Sequence, residues 1–159
     1  MELCGVLMNF ELQRNALMAT QNFISGEWQD AESGATFPVN NPATGQCVAL
    51  VPDSDEKDAK ASVESAVQAF ATWRATPAKQ RAAILKRWND LILANAEDLG
   101  NIISSEQGKP LAEAIGEIAY AASYVEWFAE EATRANGDII PAPVRGRKMW
   151  AYKEPVGVV

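Results

Sequence analysis

Hydrophobic and polar positions alternate in short bursts near the start of the chain. Asn22-Phe23-Ile24-Ser25-Gly26-Glu27-Trp28 sets two strand-like pieces around Ser25-Gly26, the two-residue joint of a tight hairpin. Phe37-Pro38-Val39-Asn40 and Cys47-Val48-Ala49-Leu50-Val51 repeat the arrangement around Asn41-Pro42-Ala43-Thr44-Gly45, whose Pro and Gly require a turn. The pattern therefore predicts a small antiparallel β region. Beyond it the period lengthens. Asp53 with Glu56 marks a helix start, Asp55 and Glu56 suit its positive end, and Ala59, Val63, Ala66, Val67 and Phe70 share one face, so a first helix is expected near 54–73. Thr76-Pro77 then supplies an N-cap and a first-turn proline. Arg81, Leu85, Trp88, Ile92, Asn95 and Leu99 recur at helical spacing up to Gly100, which predicts a second helix ending there.

The third helix carries the clearest pattern. Leu111, Ile115, Ile118, Ala122, Val125, Ala129 and Ala132 step by four and three as one seam, and Gly137 is placed to stop it. A second seam runs beside the first through Glu117, Tyr120, Tyr124, Trp127 and Glu131. An aromatic stripe of this kind normally packs as core; the alternatives are a partner chain or a ligand. Ile139-Ile140-Pro141 and Met149-Trp150-Ala151-Tyr152-Lys153 form two arms of a further hairpin through Arg145-Gly146, and Val156-Gly157-Val158-Val159 reads as the opening of a buried strand. No internal repeat or low-complexity segment interrupts the series.

Composition narrows the partners. The 159 residues carry a formal charge of -7, which disfavours a nucleic acid or an anionic membrane surface, because both need clustered Lys and Arg. The single basic cluster, Arg145-Gly146-Arg147-Lys148, reads as a solvated turn. Two cysteines, Cys4 and Cys47, are too few for a secreted disulfide framework and point to a cytoplasmic, reducing compartment. The leading Leu3-Cys4-Gly5-Val6-Leu7-Met8 run lacks the basic flank of a signal peptide and is too short to span a bilayer. Met8 and Met18 offer alternative starts, so residues 1–21 form a leader of open start and order. Histidine is absent, which removes Ser-His-Asp triads, Cys-His dyads and His-bearing metal sites. Glu126 and Glu130 share a helix face, yet a bundle di-metal site needs Glu-x-x-His partners. Glu130 and Arg134 are spaced as an i,i+4 surface pair.

The most distinctive loop is Glu106-Gln107-Gly108-Lys109-Pro110, running into the third helix. It lacks the spaced glycine, the Ser or Thr after the lysine and the preceding strand of a phosphate loop. A glycine turn before a Lys-Pro helix start accounts for it without a ligand. Together with Phe23-Ile24-Ser25-Gly26-Glu27-Trp28, Asn41-Pro42-Ala43-Thr44-Gly45, Leu111-Ala112-Glu113-Ala114, the helix Gly116-Glu117-Ile118-Ala119-Tyr120 through Glu131-Ala132, and Glu154-Pro155-Val156-Gly157-Val158-Val159, this loop resembles the amino-terminal part of the aldehyde dehydrogenase superfamily. The Glu-Gln-Gly-Lys-Pro run and the Tyr-Ala-Ala-Ser helix are most similar to succinate-semialdehyde dehydrogenases. The resemblance covers residues 22–159 in order.

That resemblance implies a fold and a reaction. The fold would be an α+β fragment of the α/β aldehyde dehydrogenase architecture: β-hairpins and three helices over 22–137 as part of the cofactor domain, a protruding hairpin arm over 138–153, and a truncated strand over 154–159, with most of the Rossmann core missing. In the reaction a cysteine thiolate attacks the aldehyde, NAD or NADP accepts hydride, and a glutamate-activated water releases the acid. The family's catalytic cysteine and glutamate, and most of its cofactor site, lie beyond Val159. This chain alone is accordingly expected to be inactive and to bind neither NAD nor NADP tightly. Cys47 reads as a structural cysteine, with no group beside it in sequence to lower its thiol pKa. The resemblance also places Glu117 and Tyr120 at the substrate entrance, and Val39, Asn40 and Glu106 where some members hold a monovalent cation. Partners follow likewise: a small aldehyde in the intact family, and a second copy or a full-length relative met through 138–153. The alternative is a non-enzymatic interaction module using the Tyr120, Tyr124 and Trp127 face.

Overall fold

The computed structural model describes residues 12–159. Strands β1 (Asn22–Ile24) and β2 (Glu27–Gln29) pair antiparallel with Phe23 opposite Trp28. Ser25 at φ 56° and Gly26 at φ 84° both turn left-handed, the geometry whose twist matches the flanking strands. The rings of Phe23 and Trp28 then meet at 4.9 Å, adding a cross-strand aromatic contact. Strands β3 (Thr36–Asn40) and β4 (Cys47–Pro52) form the second hairpin, with a register shift between Val39 and Asn40. Its turn is held by the Asn41 side chain, whose Oδ1 accepts the amides of Ala43 at 2.9 Å and Thr44 at 3.2 Å. β5 (Asp138–Ile140) and β6 (Met149–Ala151) form the third hairpin. Each pair stands as its own two-stranded sheet.

Among the described residues the α-helices number four rather than the three expected. α1 spans Glu56–Ala75 behind an Asp55 cap, two residues later than the Asp53 start read from spacing. Asp58 decides that position: its carboxylate accepts the Asp55 amide at 3.0 Å and the Glu32 amide at 2.9 Å, closing a capping box and tying the β2–β3 link to the helix. α2 covers Ala78–Ala94 and α3 covers Ala96–Gln107, where one helix to Gly100 was predicted. Asn95 breaks the run at φ −120°, ψ 20°, its side-chain Nδ2 donating back to the Leu91 carbonyl at 2.6 Å. Gly100 does not terminate anything. A Cβ there would lie 2.6 Å from Ile115 Cγ1, so this glycine permits close helix contact, and the stop falls at Gly108 in the left-handed region at φ 73°. α4 spans Leu111–Glu131 and ends before Gly137. Gly137 instead accommodates the third hairpin, since a Cβ would fall 1.9 Å from the Ala151 carbonyl oxygen.

Of the first seam of α4, Ile118, Ala122 and Ala129 are buried as predicted, Ala114 joins them from outside the seam, and Leu111 at its start is exposed. α4 packs against both α2 and α3, the former presenting Ala82 and Asn89 from its buried face. Ahead of the hairpins, Leu12 is buried, and the amides of Gln13 and Arg14 donate to the Asp98 carboxylate at 3.0 and 2.9 Å. Among the described residues no large side chain is fully enclosed. Apolar faces stay open instead, including Val63 and Val67 on α1 and Ile84, Trp88 and Leu91 on α2. The reading of the second α4 seam as core is corrected on the same ground: Tyr120 is 64% and Trp127 62% exposed, because the elements that pack on α4 cover only its alanine side.

Gly100→Ala should gain roughly 1 kcal/mol of helix propensity yet force α3 from α4 at a cost of about 1–3 kcal/mol. The expected outcome is a less stable protein, read as a lower urea midpoint at unchanged slope; equal or greater stability would contradict the close packing. The two backbone donors hold the Asp58 carboxyl below its ordinary value, with the Glu32 amide the larger cause. A depressed folded pKa adds stability that is full above the unfolded value and lost as pH falls through the folded one. Asp58→Ala should therefore be less stable than the parent at neutral pH and lose less on acidification below about pH 4, as measured by denaturation at both pH values.

Candidate functional site

The loop entering α4 is fixed from both sides. Gly108 supplies the left-handed cap of α3, Ser104 Oγ donates to the Lys109 carbonyl at 2.7 Å, and Pro110 precedes the first turn of α4. Lys109, the more buried partner, ion-pairs through Nζ with Glu117 Oε1, two turns into the helix. Sequence reasoning missed Lys109 as a partner. An eight-residue separation across a loop and a helix start follows no helical period, so only the fold brings the two together.

Glu117, Tyr120, Tyr124 and Trp127 follow one another by three, four and three residues and so lie along one face of α4. The Tyr120 and Tyr124 hydroxyls are 2.7 Å apart and their rings meet edge to face at 5.0 Å and 88°. The hydrogen bond to Tyr120, with a smaller contribution from burial, pushes the Tyr124 hydroxyl above its ordinary pKa. An open groove of about 650 Å³ runs past this pair, lined by Tyr120, Ser123, Tyr124, Glu126, Trp127 and Phe128. Of the two entrance residues named from sequence, Tyr120 lines the groove directly and Glu117 stands one turn earlier, held by Lys109. Ser123 and Phe128 flank the stripe and were not singled out, since neither falls on its period.

The second set is looser. Val39 and Asn40 sit at the shifted end of β3, and Glu106 in the last turn of α3. The two regions approach through Gly108, where a Cβ would come within 2.9 Å of Pro42 Cγ. Partial burial pushes the Glu106 carboxyl above its ordinary pKa. Among the described residues no group of three or more His, Cys, Asp or Glu could hold a metal ion. Cys47, half-buried at the start of β4, is disulfide-bonded and is not a free thiol. Spacing along a chain does not reveal a covalent partner. Cys4 lies outside the described residues.

The described residues do not fit a dinucleotide. They form only antiparallel strand pairs, and the one Gly-Lys turn at a helix start follows another helix instead of a strand. No described helix is long and apolar enough to cross a membrane.

Order and sequence of these elements match a known family. The pattern of the aldehyde dehydrogenase family covers residues 28–159, and the chain belongs to that family. It is 47% identical over 148 residues to the glutarate-semialdehyde dehydrogenase of Pseudomonas putida, a match spanning 93% of this chain and 31% of that protein. It superposes on the crystal structure of succinate-semialdehyde dehydrogenase from Burkholderia pseudomallei with a TM-score of 0.89 at 49% identity, covering 93% of this chain and 31% of the other. A crystal structure described as an E. coli NADP-dependent enzyme gives a TM-score of 0.85 at 43% identity, over 88% of this chain and 29% of that one. The chain thus carries part of the aldehyde dehydrogenase fold and spans about 31% of the length of these relatives.

The tyrosine pair makes a direct prediction. Replacing Tyr120 with Phe removes the hydroxyl partner, so Tyr124 should ionise at lower pH than in the parent protein, followed by ultraviolet difference absorbance. An unchanged titration would show that the pair does not form in solution.

Proposed function

We propose that this chain forms the amino-terminal portion of an NAD- or NADP-dependent semialdehyde dehydrogenase, which oxidises succinate semialdehyde to succinate. The observation carrying the reading is the agreement with the Burkholderia pseudomallei enzyme, 49% identity at a TM-score of 0.89 over 93% of the chain. Glutarate semialdehyde is the competing substrate, by likeness to the Pseudomonas putida protein. Both compounds carry an aldehyde at one end and a carboxylate at the other. In this reading residues 22–137 belong to the cofactor domain and 138–153 form an arm for a second copy or a full-length relative. Glu117 and Tyr120 border the substrate entrance. Val39 and Asn40 at the end of β3, with Glu106 in the last turn of α3 as the one acidic group, border a monovalent-cation position. These residue roles rest on family resemblance together with the shared face of α4 and the contact of the two loops.

The polypeptide of residues 1–159, taken alone, is proposed to be catalytically silent. Its described residues offer no free thiol to attack an aldehyde and no turn to cradle a dinucleotide. A second reading, an interaction module, draws support from the exposure of Tyr120, Tyr124 and Trp127.

Two measurements test the proposal. Purified 1–159 mixed with succinate semialdehyde and either cofactor should form no reduced nicotinamide, and measurable turnover would refute its silence. A chimera in which this chain replaces the matching segment of the Burkholderia pseudomallei enzyme should oxidise succinate semialdehyde. A folded chimera without turnover would count against the dehydrogenase reading.

A further inference from the structure

We propose that Lys109 sets the preference for an aldehyde bearing a distal carboxylate, by neutralising Glu117 one turn from the α4 groove. This rests on the semialdehyde dehydrogenase reading above and gives a positioning role to a residue outside the groove. α4 carries five carboxylates, Glu113, Glu117, Glu126, Glu130 and Glu131, and no Lys or Arg. The chain as a whole has a formal charge of -7. Succinate or glutarate semialdehyde is itself an anion, so a helix of this kind would repel it at the entrance. Two cations from outside the helix offset that field. Arg134, beyond its C-terminal end, pairs with Glu130 at 3.1 Å and Glu131 at 2.6 Å. Lys109, ahead of its first turn, pairs with Glu117.

The Lys109–Glu117 pair is asymmetric. The lysine side chain is 26% exposed against 49% for the glutamate, so the carboxylate is the outer partner and the one an arriving anion meets. The ammonium is held behind it from a fixed base. Gly108 ends α3 at φ 73°, and Ser104 Oγ donates to the Lys109 carbonyl at 2.7 Å. Glu117 and Tyr120 are three residues apart and therefore neighbours on one helix face, and Tyr120 lines the groove. A charge left unpaired at Glu117 acts on whatever enters beside Tyr120. Across a separation of about one helical turn, such a charge changes the affinity for an anion about three- to tenfold, according to how far water screens it.

Steady-state kinetics on the chimera described above test the assignment, with succinate semialdehyde and with butanal, an uncharged aldehyde of equal carbon number. The readout is the ratio of the two kcat/KM values. Lys109→Met leaves Glu117 without its cation and should lower the ratio about three- to tenfold, chiefly through KM for succinate semialdehyde. Glu117→Gln frees the ammonium and should raise the ratio. The double variant, with neither charge, should return it close to the parental value, as should Lys109→Arg alone. At about 0.5 M salt the differences should shrink, because screening acts on charge and not on packing. A clamp that only holds the loop in shape predicts otherwise: both single variants would impair the two aldehydes alike and the double variant would not recover. That outcome would overturn the proposal. An active parental chimera whose ratio ignores Lys109→Met would overturn it as well, while leaving the dehydrogenase reading intact. A folded parental chimera without turnover would refute that reading, and this inference with it.

Discussion

The structure depends on how closely α4 approaches its neighbours, and that closeness is set by absent side-chain volume. Ala114, Ala122 and Ala129 line the buried face, and Gly100 on α3 faces Ile115 where a methyl group would not fit. Small residues let backbones come together, and dispersion between them gains from the short separation. The limit of such a core is area. With no large side chain fully enclosed among the described residues, the apolar surface they remove from water is modest. Fixed polar contacts complete the assembly at its margins: Asp58 joins the β2–β3 link to α1, and Asp98 holds the backbone ahead of the hairpins.

The same limit explains the surface. An antiparallel hairpin buries little by itself, and three separate hairpins provide no sheet for the helices to lie on. Apolar faces on α1, α2 and α4 are left to the solvent, and their large side chains are of the kind that ordinarily seek a second layer. In relatives about three times as long, much more chain is present to build that layer. The aromatic stripe of α4 is therefore conditional in character. Its chemistry depends on what is placed opposite it, while its internal order, two tyrosines joined by a hydroxyl contact, is already established.

Much of this was legible in the residues. Ser25-Gly26, Asn41 to Gly45 and the alanine seam of α4 each have a local cause, a turn conformation or a helical period, and local causes leave local marks. What escaped was decided by contact. Gly100 reads as a helix stop in a string of letters and becomes a packing glycine only when Ile115 is set against it. Gly137 is similar, serving Ala151 and not the end of α4. Lys109 meets Glu117 through the fold alone, and the stripe holding Tyr120 and Trp127 looked like core because its period cannot say whether a facing element exists.

The Asp98 contact ties the backbone ahead of β1 to α3. Its carboxylate is buried and its two recorded partners are the amides of Gln13 and Arg14, which precede Met18. Without that stretch Leu12 and both donors are gone, and the Asp98 carboxylate passes from fixed backbone amides to water. The carboxylate thus acts as a clasp on the backbone at Gln13 and Arg14, which lies outside every described strand and α-helix.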